Sequence, residues 1–125
     1  MDASFDDQKP IFIQIKEKIE DQIVNGYLQE DEKIPSTTQM VDFYKVNHLT
    51  ISKGMNLLAD EGVIYKKRGV GMFVAEGAQR KVKQQRKASF ADDYVRPMMQ
   101  EAEKLGLSED EVNHLIQQVR RGDRG

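Results

Sequence analysis

Lys66, Lys67 and Arg68 stand side by side and run directly into Gly69-Val70-Gly71. Three adjacent cations suit the neutralisation of phosphate, and two glycines let a chain turn tightly and approach a ligand without a side-chain clash. A second set lies upstream: Asn47, His48, Leu49, Thr50 and Lys53. Lysine can reach guanine O6 and N7 or a phosphate, threonine a thymine methyl or a phosphate, and asparagine an adenine. Each has a plainer alternative. Asn47 can cap a helix, Leu49 can pack in a core, and His48 can be a surface histidine. Ser36 and Thr38 form a third set. Ser36 suits a helix cap and a phosphate contact at the helix start, and Thr38 can donate one hydrogen bond to a phosphate.

Other chemistries find little support. The chain has no cysteine, which removes disulfides, thiolate metal sites and thiol nucleophiles. His48 and His114 fall on separate elements, and His114 with Glu111 gives at most two metal ligands at i, i+3 spacing. Gly69-Val70-Gly71 does not open onto a helix, so it is not a nucleotide-binding loop. Neither an enzyme nor a cofactor is expected. Of 125 residues, 38% are hydrophobic, enough for one modest core. No apolar run approaches the roughly 18 residues of a membrane span. The opening Met1-Asp2-Ala3-Ser4 is acidic, with no apolar signal region behind it. The expectation is a cytoplasmic protein without a membrane partner.

The net charge of −2 conceals a strong asymmetry. Residues 66–87 carry eight cations against Glu76 alone, a local +7, which leaves −9 for the rest of the chain. At a Debye length of about 8 Å a polyanion responds to the local field rather than to the total. Arg80–Lys87 taken alone could be the solvated face of a helix, but it directly follows the basic turn.

The elements that must position these residues follow from periodicity. Pro10 suits a first helical turn, and Ile11, Ile15, Ile19 and Ile23 recur at i, i+4 up to a stop at Gly26. Polar Glu30-Asp31-Glu32-Lys33 reads as a linker. Ser36 with Gln39 forms a capping box for a helix to about Tyr44, burying Met40, Val41 and Phe43 or Tyr44. Val46-Asn47 makes the turn into a helix over His48–Asp60 that buries Ile51, Met55 and Leu58 and ends at Gly62. Val63–Lys66 and Met72–Val74 then form a hairpin around the basic turn, with Tyr65 packing on the preceding helix. The fold class is mainly α with a small β-hairpin: a winged helix-turn-helix over residues 5–75, which places one helix in a DNA groove and the ribbon on the backbone.

Residues 78–121 read as a two-helix C-terminal dimerisation tail. Phe90, Tyr94 and Met98 are spaced i, i+4, with Met99 and Leu105 extending the surface. Pro97 should kink or divide the helix. Gly106 is a stop, Ser108 with Glu111 a second capping box, and Leu115, Ile116 and Val119 line the last helix. Gly122 onward should fray. Two such helices cannot form a core alone; they pair with a second copy or pack back onto Ile11–Ile23. Homodimerisation would also match a palindromic site. Phe90, Tyr94, Met98 and Met99 could in addition line a pocket for a small-molecule or hydrophobic-peptide effector.

Pro10–Ile15, Gly26, Ile34-Pro35-Ser36, Thr50-Ile51, Leu57-Leu58, Glu61–Ile64 and Gly69–Val74 resemble, in order and spacing, the DNA-binding domain of the GntR family. The short tail, with Tyr94–Pro97 and Leu105–Ser108, looks like that of the YtrA subfamily. The resemblance implies a dimeric repressor acting on a double-stranded DNA operator, commonly beside an ABC transporter it controls. Three positions depart from the pattern. Thr38 stands where the family usually has arginine, Asn47-His48 where it tends to have Ser-Arg, and Ser52-Lys53 only loosely matches a common basic position. The departures imply a different operator and more reliance on the ribbon. The competing reading is a winged-helix protein-interaction module that does not read DNA sequence.

Overall fold

A computed structural model describes residues 3–122. The first two residues and the frayed end expected beyond Gly122 lie outside them. The chain divides into two compact units, one ending at Gln85 and the other beginning at Arg86.

In the first unit, α1 (Ile11–Val24), α2 (Thr37–Tyr44) and α3 (His48–Asp60) precede a hairpin of β1 (Ile64–Lys67) and β2 (Gly71–Val74). The i, i+4 stripe of α1 is buried at Ile15, Ile19 and Ile23, against Met40 and Tyr44 of α2 and Ile51, Met55 and Leu58 of α3. Burying one such side chain contributes about 1.5–3 kcal/mol. Tyr44 fills the core position on α2, whereas Phe43 is 45% exposed. Between α2 and α3 the chain reverses at Lys45, a non-glycine residue in the left-handed region with φ 57°.

The segment expected to be a linker does more than connect. The Asp31 and Ile34 N–H groups donate to the carbonyls of Val74 and Met72, and Val74 N–H returns a bond to Glu32. Residues 31–34 thus run antiparallel beside β2. Tyr65 also differs from expectation. Strand alternation sends Ile64 into the core and turns Tyr65 away from α3. It stacks on Phe73 instead, with ring centroids 5.6 Å apart, and donates a 2.8 Å hydrogen bond to Asp31.

Two further anchors complete this unit. Gln14, buried on α1, accepts from Asp6 N–H and donates to the Asp6 and Lys9 carbonyls, so it clamps the segment before the helix. The second is α4 (Ala78–Phe90), whose Ala78 and Val82 are fully buried in the same core. Gln79 donates to the Ile23 and Val24 carbonyls, and Lys81 to the carbonyl of Glu61. Lys16 lies 3.3 Å from Glu20 and 3.1 Å from Glu61, joining α1 to the end of α3. Burial alone would lower the Lys16 pKa, but its bonds to the two carboxylates outweigh that and raise it.

In the second unit a π-helical turn (Ala91–Val95) leads into α5 (Arg96–Lys104), and α6 (Glu109–Arg120) follows. The helix divides just before Pro97. A proline ring clashes with the carbonyl four residues back and supplies no N–H, so the preceding turn widens. Arg96 braces that turn with two bonds to Asp92 Oδ1, at 3.2 and 2.9 Å. Gly106 ends α5 with its neighbour Leu107 donating to the Ala102 carbonyl. Ser108 and Glu111 form the reciprocal capping box that opens α6.

Candidate nucleic-acid interface

Both helices of the helix-turn-helix begin with capped N-termini. Ser36 Oγ accepts from Gln39 N–H at 3.1 Å, and Gln39 Oε1 accepts from Ser36 N–H at 2.8 Å. Asn47 Oδ1 accepts from Thr50 N–H at 2.8 Å. Bidentate reading of adenine needs both the oxygen and the nitrogen of the asparagine amide, and here the oxygen is occupied. Beyond the cap, His48, Leu49 and Lys53 are exposed and Thr50 is half-buried. Leu49, at 79% exposure, is an uncovered apolar side chain at the tip of α3. His48 Nδ1 lies 3.5 Å from Ser52 Oγ. Lys53 Nζ sits 4.0 Å above the ring of Phe12, on α1.

Between α3 and the ribbon lies an open cleft of about 620 Å³. The ribbon supplies Lys66, Lys67, Arg68 and Gly69, and the start of α2 supplies Ser36. The remaining expected contacts, Thr38, Asn47, His48, Leu49, Thr50 and Lys53, do not line it; all but Thr38 belong to the α3 tip. Lys33 and Asn56 also face this cleft, and the sequence reading passed over both. Lys66 Nζ bonds Asn56 Oδ1, tying the ribbon to α3, and Lys67 Nζ lies 5.0 Å above the Phe73 ring. Tyr65 gains a pKa above its ordinary range because its hydroxyl is bonded to the Asp31 carboxylate. A cationic cleft beside an exposed helix tip can hold a sugar-phosphate strand while the helix meets base edges.

No group of three or more metal-ligating side chains occurs among the described residues, and Glu111 is engaged by the Ser108 cap rather than by His114. Nor is any helix among them long and apolar enough to cross a membrane.

Residues 13–74 match the model of the bacterial regulatory proteins of the gntR family. Over 112 residues the chain is 30% identical to an uncharacterized HTH-type transcriptional regulator, YhcF, of Bacillus subtilis, covering 90% of this chain and 91% of that protein. The chain belongs to the GntR family. A GntR family transcriptional regulator from Listeria monocytogenes has the same architecture, with a TM-score of 0.74 and 28% identity over 91% of this chain and 98% of its own. The AraR DNA-binding domain in complex with operator ORX1 is similar over 60% of this chain and 90% of its own, at 31% identity and a TM-score of 0.54. This GntR protein is a DNA-binding transcriptional regulator and not an enzyme.

Proposed function

We propose that the protein is a dimeric repressor of the YtrA type, bound to a palindromic operator that controls an ABC-transporter operon including its own gene. The observation that carries the reading is the cationic cleft beside the exposed tip of α3. Residues 5–75 do the reading: Thr50 and Lys53, with His48 and Leu49, meet bases, while Ser36, Thr38, Lys67, Arg68 and Gly69 hold the backbone. Asn47 acts chiefly as the cap that points Thr50.

The tail expected over residues 78–121 pairs two copies from about residue 86 onward, since Ala78 and Val82 belong to the first unit's core. Support comes from the second unit, where Ala102 and Val112 are buried but Phe90, Tyr94, Leu105 and Val119 are each more than half exposed. Met98, Met99 and Leu115 are about 40% exposed, and Ile116 is half-buried. An apolar groove of about 470 Å³ runs along α5 and α6. A second copy is its occupant in this reading, with room for a small-molecule or hydrophobic-peptide effector at the seam. A dimer seated across a promoter represses by excluding polymerase.

The test is selection of a duplex from a random library, followed by anisotropy across salt and sedimentation of the free protein. A palindromic product bound by two copies, in a salt-dependent manner, is the expected result. Recovery of no preferred sequence by a monomeric protein would favour a module that reads another protein instead.

A further inference from the structure

We propose that Lys33 is a phosphodiester-binding residue, placed at the base of the ribbon to hold one strand of duplex DNA. The proposal rests on the DNA-binding reading above and adds a contact outside both the α3 tip and the ribbon turn.

In the sequence Lys33 closes an acidic run, Glu30-Asp31-Glu32, and looks neutralised by it. The structure separates the charges. Glu30 Oε1 accepts from Gly77 N–H at 2.7 Å, Asp31 Oδ1 from Tyr65 Oη at 2.8 Å, and Glu32 Oε1 from Gln29 N–H at 3.0 Å. Each carboxylate is tethered to its own donor. Lys33 has no hydrogen bond or ion pair among the described residues.

Strand alternation aims it. Residues 31–34 run beside β2, and Ile34 points into the core at 1% exposure, so Lys33 projects to the opposite side. There its side chain lies across Gly71, where φ is +144°. A Cβ at that glycine would come within 2.8 Å of Lys33 Cε. Lys33 lines the same cleft as Arg68. Lys66 is held by Asn56 and Lys67 lies over Phe73, so Lys33 and Arg68 are the cations of this cleft without an internal partner among the described residues. On the α2 side Ser36 and Thr37 offer hydroxyls but no charge. A phosphate strand entering the cleft therefore meets Lys33 as a ready point charge.

The salt dependence of binding to the selected duplex decides the matter, with thermal melts confirming that the variants are folded. Lys33→Gln should lower the slope of log K against log salt by about 0.9, with sequence preference unchanged, and Lys33→Arg should keep the parent slope. Arg68→Gln serves as the independent cleft variant. If Arg68→Gln loses slope and Lys33→Gln does not, the proposal is overturned while the DNA-binding reading stands. If neither loses slope, the cleft leaves the interface and this proposal falls; if the parent selects no duplex, the underlying reading falls and this one with it.

Discussion

Lys53 on α3 rests its ammonium 4.0 Å above the ring of Phe12 on α1, so a residue at the start of the first helix fixes a cation on the third. A cation held over an aromatic face has about 0.5–1 kcal/mol less reason to move when exposed. Lys53→Ala should change which base is preferred at one position of the operator. Phe12→Leu, which keeps the apolar bulk but removes the ring, should blur the same preference. Competition with duplexes altered at that position measures both, and the two substitutions should be non-additive.

Arg68→Ala should weaken binding to every duplex by a similar factor and flatten the salt dependence, because a phosphate contact carries no sequence information. Thr50→Ala should instead shift preference at a thymine position. Equal affinity of the Arg68 variant and the parent at moderate salt would remove the ribbon from the interface.

Asn47→Ala should cost about 1 kcal/mol of stability by urea unfolding, because it leaves Thr50 N–H without its cap. Asn47→Asp should retain most of it. A stability change confined to DNA-bound protein would contradict the capping role.

Gly54 on α3 lies where α1 passes: a Cβ there would stand 2.8 Å from the Phe12 carbonyl oxygen and 3.3 Å from Ile15 Cγ2. Both neighbours belong to a packed helix. Gly54→Ala should therefore destabilise by about 1–3 kcal/mol, even though alanine favours a helix interior by about 1 kcal/mol. A higher melting temperature for this variant would refute the close-approach argument.

In the second unit, hydrogen bonds from the Ser108 backbone and hydroxyl hold the Glu111 carboxyl below its ordinary pKa of 4.5. A depressed carboxyl contributes stability that is present above its unfolded pKa and lost as pH falls through the folded one. The helicity of α6 should decline on acidification below about pH 4.5, and Glu111→Gln should remove that component of the titration. Circular dichroism of parent and variant across this range tests it.

The helix pair was legible because its signals are local. Ser36 with Gln39, Asn47 before Thr50 and the isoleucine stripe of α1 each act within a turn or two. The features that escaped depend on residues far apart in the chain. Nothing near Lys33 announces that Asp31 will bond Tyr65, or that Glu30 will bond Gly77. Tyr65 was placed on the right strand but the wrong face, since only the burial of Ile64 fixes the parity. Gln14 looks like any polar helix residue until the segment before α1 folds back onto it. Ala78 and Val82 were grouped with the tail because composition shifts at Gly77, although packing continues across that point.

That continuity bears on how regulators of this architecture exchange parts during evolution. A recombination junction placed at the end of the hairpin, where the sequence changes character, would strip Ala78 and Val82 from the core and the Gln79 bonds from the end of α1. The compact unit reaches to Gln85. An exchange of the C-terminal part that left this core intact would therefore join inside α4 rather than at the loop before it.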